Sequence, residues 1–264
     1  MRFIDFHTHI YPQKIAEKAT QSVCEFYNLD TECNGTAQQL YELGKKAGVT
    51  DFVLLPVAIK PSHVRSINKF IVDVQSSKDA FHGFGSVHAE MKDIIDELDF
   101  IKKSGLKGVK IHPDTQRFNI DDERLYPLYE SIEGNMPIVI HCGDPRYDYS
   151  HPSRLKKVLS DFPKLHVIAA HLGGWEIFET ASEILKDQKC YFDISSCMPF
   201  MSAEKMVEYI NTYGDERVLF GTDYPLWTPE RETKSFLKLP LSESAKENIA
   251  YKNALEILNG NFYY

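Results

Sequence analysis

The chain has 264 residues, of which 43% are hydrophobic and 26% are charged, as in an ordinary globular protein with a sizeable core. It contains no apolar run long enough to cross a bilayer and no low-complexity tract, which excludes membrane-spanning and disordered classes. Thirty Lys and Arg against thirty-eight Asp and Glu give a net charge of −8, which argues against nucleic acid as the main partner.

The five cysteines are odd in number and contain no C-x-x-C pair, so neither a disulfide framework nor a zinc ribbon is predicted. The sequence enters its first strand at once, without an apolar signal segment. We therefore expect a cytoplasmic protein with a small-molecule substrate and no membrane partner. A homodimer is left open.

Strand and helix patterns alternate along the whole chain. Strands are predicted at residues 1–10, 52–57, 81–87, 108–113, 137–141, 166–171, 190–195 and 218–223. Helices are predicted at residues 12–27, 37–46, 62–75, 91–103, 122–132, 153–161, 175–186, 203–213 and 244–258, the last begun by a capping box of Ser244 and Glu247.

About eight strands, each followed by a helix, predict a single α/β domain over residues 1–264, a (β/α)8 TIM barrel. A doubly wound open sheet is the structural alternative. No G-x-G-x-x-G follows the first strand, and polar residues stand at the carboxyl ends of strands throughout the chain. Both observations favour the barrel.

The first strand ends in a His-x-His pair, and strict alternation places Asp5, His7 and His9 on one face. Two neutral imidazoles that point the same way form a compact bidentate binding site for a first-row cation. Metal-capable or titratable residues also end four later strands, and all of them would meet at one mouth of a barrel: His112, His141, His171 and Asp223. Asp5 and Asp193 are candidate buried residues that orient these groups.

The sequence contains four segments in this order: His7-Thr8-His9, His141-Cys142-Gly143, residues 170–174 and residues 221–225. With these segments in this order, the sequence resembles the amidohydrolase superfamily. Within it the chain is most similar to the amidohydrolase-related group, which includes lactone hydrolases and metal-dependent decarboxylases of the aminocarboxymuconate-semialdehyde type. The resemblance covers nearly the whole chain. It is specific for the family but not for a substrate.

This resemblance implies one divalent metal, zinc in the first place with Mn²⁺ as the alternative, held by residues matching His7, His9, His141 and Asp223. Asp223 would also accept a proton from a metal-activated water, and His171 would shuttle a proton or polarise the reacting carbonyl. Members with two metals need a bridging carboxylate or carboxylated lysine, for which Lys110 is the one candidate. We favour for Lys110 a charged partner inside the barrel or a substrate contact.

Loops after the strands determine selectivity in this fold, and here they are rich in aromatic side chains. A pocket with aromatic walls and an arginine is suited to bind a small, ring-like molecule that bears a carboxylate. His112 contacts substrate or orients a neighbour, and His151 contacts substrate or starts a helix. The predicted substrate-binding residues are His112, Arg146, Tyr147, His151, Tyr224 and Trp227.

The leading functional prediction is a metal-dependent hydrolase that attacks an ester, lactone or amide with a metal-activated water. Non-oxidative decarboxylation on the same scaffold is the alternative, and a barrel that binds metal or ligand without turnover is less favoured. TatD-like nucleases also open with His-x-His, but the metal-binding Glu of their middle strand has no counterpart here. Phosphoesterases of the polymerase-histidinol-phosphatase type use more histidines in different places.

Overall fold

A computed structural model describes residues 1–263 of the chain, so the predicted domain end at residue 264 lies outside the described residues. Within them, nine parallel strands follow one another around a central axis. They are β1 Phe3–Thr8, β2 Val49–Leu54, β3 Phe81–Gly83, β4 Gly85–Ser86, β5 Val109–Ile111, β6 Ile138–Ile140, β7 Val167–Ala169, β8 Tyr191–Asp193 and β9 Val218–Leu219.

The strands form a closed barrel. β3 and β4 are two halves of one barrel strand, since the intervening Phe84 N–H donates to the Leu54 carbonyl at 3.0 Å. The other seam closes where the Phe6 N–H donates to the Phe220 carbonyl at 2.9 Å and Thr8 pairs with Tyr224. The predicted (β/α)8 barrel is confirmed, and the open-sheet alternative is wrong because such a sheet would leave two edges unpaired.

Helices follow the strands on the outside of the barrel. They are α1 Ala16–Tyr27, α2 Ala37–Lys46, α3 Val64–Gln75, α4 Ile94–Lys103, α5 Pro113–Gln116, α6 Tyr126–Ile132, α7 Pro152–Asp161, α8 Phe178–Leu185, α9 Ala203–Tyr213, α10 Pro229–Leu237, α11 Glu243–Glu247 and α12 Asn253–Leu258. In the described part of the chain no helix is both long and apolar enough to pass through a bilayer.

The last quarter of the chain differs from the sequence prediction. No helix was predicted at α10, because four of its nine residues are charged and its large apolar side chains are confined to Phe236 and Leu237, although Thr228 caps it and Pro229 begins it. The capping box on Ser244 is wrong: Ser242 caps α11 by accepting from the Ala245 N–H at 3.1 Å. A π-helical turn at Asn248–Lys252 then joins α11 to α12.

A register shift in β1 decides where the His-x-His pair points. Asp5 pairs with Phe52 and Thr8 with Leu54, so three steps on β1 match two on β2. Such a bulge breaks the strict alternation from which Asp5 and His7 were predicted to share a face. The Asp5 carboxylate accepts from the Thr222 N–H and hydroxyl at 2.9 and 2.7 Å and from the His7 N–H at 3.4 Å, and burial raises its pKa to about 7.

Candidate metal centre and its cavity

The rings of His7 and His9 face each other at the end of β1, with their Nε2 atoms 3.2 Å apart. The Nδ1 atom of His7 donates to the Asp193 carboxylate at 2.8 Å, and that of His9 donates to the Leu55 carbonyl at 2.6 Å. In a neutral imidazole the other nitrogen is then a bare acceptor. Two bare lone pairs at this distance repel each other, so the pair fits a cation held between them.

Asp223 completes this group from the other side of the barrel seam. Its Oδ1 atom lies 3.6 Å from Nε2 of His7 and 3.3 Å from Nε2 of His9. Burial opposes ionisation of this carboxyl, but the close His9 ring and the nearby His7 and His171 rings hold its pKa well below the usual range. The three residues offer two nitrogens and one anionic oxygen within 4.8 Å of one another, a donor set suited to a divalent cation.

A second pair of imidazoles meets in the same way. Nδ1 of His141 and Nε2 of His171 are 3.0 Å apart. The opposite nitrogens donate to backbone carbonyls, His141 to Gly143 at 3.0 Å and His171 to Ser195 at 2.8 Å. These contacts again leave two acceptors face to face, and the His171 ring lies 5.0 Å from that of His7. The structure therefore gathers all five predicted metal and catalytic residues in one place.

The electrostatics of the group favour the neutral form of His7 and of His141. Burial and the Lys110 ammonium lower the pKa of His7 to about 3, and burial with the neighbouring His112 ring lowers that of His141 well below its usual range. Lys110 is itself buried, with Nζ 3.4 Å from Nε2 of His7 and a pKa that burial lowers to about 8. Neutral imidazole is the form that binds metal.

The imidazoles of His9, His141 and His171 lie at the floor of a cavity of about 760 Å³. His9, His141, His171 and Asp223 line the floor, and the walls come mainly from α1 and the loops after the strands. Most of the wall side chains are apolar or aromatic: Tyr11, Ile15, Val23, Phe26, Tyr27, Val57, Ile59, Ile67, Tyr147, Tyr149 and Leu226. The cavity is thus a large apolar chamber with a polar, nitrogen-rich floor.

Two of the six predicted substrate-binding residues, His112 and Tyr147, line this cavity. Four do not, and their side chains serve the frame of the site. Arg146 makes a bidentate pair with Asp144 and donates to the Phe26 carbonyl at 2.5 Å. His151 caps α7 by accepting from the Ser153 N–H at 3.2 Å.

The other two residues lie behind the metal group. The Tyr224 hydroxyl donates to Oε1 of Gln39 at 2.9 Å, and its ring is fully buried. Trp227 donates its indole N–H to the Ser196 hydroxyl at 2.9 Å, and Ser196 donates to Oδ2 of Asp223 at 2.5 Å. Trp227 therefore acts on the site through Ser196.

Several residues of the site were missed or only partly anticipated. Asp193, expected as an orienting residue, holds both the His7 ring and the Ser195 hydroxyl, which donates to it at 2.5 Å. Asp114 and Tyr27 were not predicted, although Asp114 follows the singled-out His112 by two residues. Nothing in the local sequence of α1 indicates that its last residue, Tyr27, reaches the cavity.

Residues 4–260 match the profile of the amidohydrolase family over nearly the full length of the chain. The chain belongs to the amidohydrolase family. It is accordingly a metal-dependent enzyme of the amidohydrolase superfamily, a hydrolase or a decarboxylase, as the sequence predicted. The predicted resemblance to the amidohydrolase superfamily is thereby confirmed.

Solved structures of this amidohydrolase's fold include an uncharacterized TIM-barrel protein from Bordetella bronchiseptica, at 22% identity and a TM-score of 0.82 over 99% of both chains. A dihydroxybenzoic acid decarboxylase from Polaromonas, with bound manganese and the inhibitor 2-nitroresorcinol, matches at 16% identity and a TM-score of 0.75. The match covers 100% of this chain and 99% of that one. A 5-carboxyvanillate decarboxylase from Sphingomonas paucimobilis matches at 16% identity and a TM-score of 0.75, over 98% of this chain and 99% of that one. At these identities the likeness shows the barrel fold.

Proposed function

We propose that this amidohydrolase is a metal-dependent, non-oxidative decarboxylase of a small aromatic carboxylate. The observation that carries the proposal is the position of the nitrogens of His9, His141 and His171 at the floor of an apolar, aromatic cavity. A planar ring fits such walls, and its carboxylate would lie against the floor. The decarboxylases among the similar structures support this reaction over hydrolysis, the leading prediction from the sequence.

His7, His9 and Asp223 would hold the metal, with His141 as the fourth predicted ligand. A divalent cation there would act as a Lewis acid on a carboxylate or phenol oxygen of the substrate. Nitrogen and carboxylate ligands suit zinc, which we propose as the native metal, and the manganese of the Polaromonas decarboxylase makes Mn²⁺ the alternative.

The chain's own residues supply the rest of the reaction. Apolar walls exclude water from the ring and weaken the hydration of the substrate carboxylate, which favours its departure as neutral CO₂. The bond between the ring and the carboxyl carbon breaks, its electron pair stays on the ring carbon, and a proton must reach that carbon. We assign this proton transfer to Asp223 and His171, which both border the floor of the cavity: one of them first takes up a proton from solvent water and then delivers it to the ring carbon as CO₂ leaves.

Hydrolysis of an ester, lactone or amide is the second candidate. It is favoured by the low pKa of Asp223, because an ionised carboxylate beside the metal group can accept a proton from attacking water. The two reactions differ in their products. Hydrolysis adds a water oxygen to the product, whereas decarboxylation releases CO₂ and leaves the ring free of solvent oxygen.

The test uses enzyme loaded with Zn²⁺ or Mn²⁺ in H₂¹⁸O, with 2,6-dihydroxybenzoate, 5-carboxyvanillate and an aryl lactone as probes. We expect CO₂ release and a ring product without ¹⁸O, abolished in His9→Ala but retained in His63→Ala, whose histidine is exposed at the start of α3. An ¹⁸O-labelled acid without CO₂ would overturn the proposal in favour of hydrolysis.

A further inference from the structure

Tyr27 brings a hydroxyl group to the cavity from the last turn of α1. Its side chain is half-buried and borders both the main cavity and a smaller recess next to His141 and His171. The hydroxyl oxygen lies 2.8 Å from Nε2 of His112. This pair stands outside the metal group, and the reaction proposed above gives it no role.

Contacts around the ring fix Tyr27 in this position. Arg146 is held by its bidentate pair with Asp144 and ties the end of α1 through its hydrogen bond to the Phe26 carbonyl. The same guanidinium lies 5.5 Å from the centroid of the Tyr27 ring, and Trp175 packs edge-on against that ring at 4.9 Å. The hydroxyl is therefore preorganised before any ligand arrives.

His112 is equally constrained. Its ring stacks on that of His141 at 3.8 Å between centroids, and its backbone N–H donates to Oε1 of Gln116 at 2.7 Å. Its Nδ1 atom is buried and has no hydrogen-bond partner within residues 1–263. The only hydrogen bond that this ring makes in the described chain is the one to Tyr27.

That arrangement decides which nitrogen carries the proton. A neutral imidazole has one N–H, and a buried N–H without an acceptor is costlier than a lone pair without a donor. The proton therefore belongs on Nε2, which donates to the Tyr27 oxygen. The hydroxyl hydrogen of Tyr27 is then not used by His112, and it has no other acceptor among the described residues.

We propose that Tyr27 is the residue that donates a hydrogen bond to an oxygen of the substrate, and that His112 is the positioning residue that turns its hydroxyl toward the cavity. The identity of that oxygen, a carboxylate or phenol oxygen of an aromatic acid, rests on the proposed function. Burial raises the pKa of Tyr27 well above its usual value, so the hydroxyl keeps its proton. A neutral donor of this kind selects an anionic or carbonyl oxygen over an apolar substituent.

The first test needs no substrate. Two-bond ¹H–¹⁵N correlation spectra of Zn²⁺-loaded enzyme report which nitrogen of each imidazole carries hydrogen, and His112→Gln identifies the His112 signals. We expect the Nε2–H form in His112. An Nδ1–H form would overturn the proposal, because Tyr27 would then be donating to His112 and would have no hydrogen left for a ligand.

The second test measures binding of 2-nitroresorcinol, which has no carboxylate to lose, to the Zn²⁺-loaded enzyme by calorimetry. Loss of a hydrogen bond to a charged oxygen should raise Kd about 10-fold to 100-fold in Tyr27→Phe. His112→Gln keeps a donor near the Nε2 position and should retain most of the affinity, whereas His112→Ala should weaken binding as Tyr27→Phe does. Tyr126→Phe, whose hydroxyl bonds Asp161 outside the cavity, is the matched control.

Equal affinity in Tyr27→Phe and the wild type would overturn the proposal. If the wild type binds neither 2-nitroresorcinol nor 2,6-dihydroxybenzoate, the aromatic-acid function fails, and the imidazole spectra alone then decide the role of Tyr27. The two failures are thus distinguishable.

Discussion

Asp193 accepts the Nδ1 hydrogen of His7 at 2.8 Å, deep inside the barrel. This contact orients the His7 ring so that Nε2 faces His9 and Asp223. Burial opposes ionisation of Asp193, but the His7 ring and its hydrogen bond hold the pKa of the carboxyl well below the usual range. A carboxylate behind a histidine ligand also raises the basicity of that ligand.

We therefore predict that Asp193→Asn weakens metal binding without removing any ligand. Loss of such a partner lowers metal affinity about 10-fold to 100-fold, measured here by competition with a chromophoric chelator. Asp51→Asn is the matched control, because Asp51 contacts the ring of His82 at 3.1 Å far from the cavity. Equal affinity in Asp193→Asn and the control would show that the contact does not support the site.

Trp227→Phe should lower turnover more than it lowers stability. The change keeps an apolar ring but removes the N–H that holds Ser196, which in turn donates to Asp223. We expect kcat to fall about fivefold, the effect of roughly 1 kcal/mol. Ser196→Ala should produce a similar loss, and the double variant should be little worse than either single one. Fully additive losses would contradict the inference that Trp227 acts on Asp223 through a hydrogen bond to Ser196.

The buried Glu232 on α10 should make the free energy of unfolding depend on pH. Its carboxyl is fully buried, neither oxygen has a hydrogen-bond partner within residues 1–263, and burial raises its pKa from 4.5 to about 8. Between pH 4.5 and about pH 8, Glu232 therefore keeps its proton in the folded state and releases it in the unfolded state. The free energy of unfolding should therefore fall with rising pH, by about 1.4 kcal/mol per pH unit from this group alone.

Glu232→Gln removes that titration. Urea unfolding of both proteins at pH 5.5, 6.5 and 7.5 should show the variant gaining stability relative to the wild type at each step. Glu230→Gln, an exposed change on the same helix at a residue paired with Lys234, should show no such gain. A constant difference between Glu232→Gln and the wild type across this pH range would contradict the assignment.

The barrel and the metal group could be predicted from the sequence because both follow from local patterns. Apolar strand segments alternate with helix patterns, and a polar residue that ends a parallel strand lies at the same rim as those of the other strands. His7, His141, His171 and Asp223 meet for this reason alone. Asp5 is buried as predicted and accepts from the His7 N–H, although a bulge in β1 interrupts the alternation on which its placement was based.

The cavity wall could not be predicted in the same way, because it depends on which loop side chains are neutralised or turned aside. Arg146 was predicted to bind substrate, yet Asp144 two residues earlier holds its guanidinium. Tyr27 lies on a helix whose sequence looks like any amphipathic surface helix. Its position over the cavity follows from how the end of α1 packs against Arg146 and Trp175, contacts that only the folded chain reveals.

The most direct test is a crystal structure of the Mn²⁺-loaded enzyme with anomalous data collected at the manganese absorption edge. We predict one anomalous peak between the imidazoles of His7 and His9 and the Asp223 carboxylate, within about 2.3 Å of Nε2, Nε2 and Oδ1. A peak in the group formed by His112, Asp114 and His141, or no peak at any of these residues, would contradict the account.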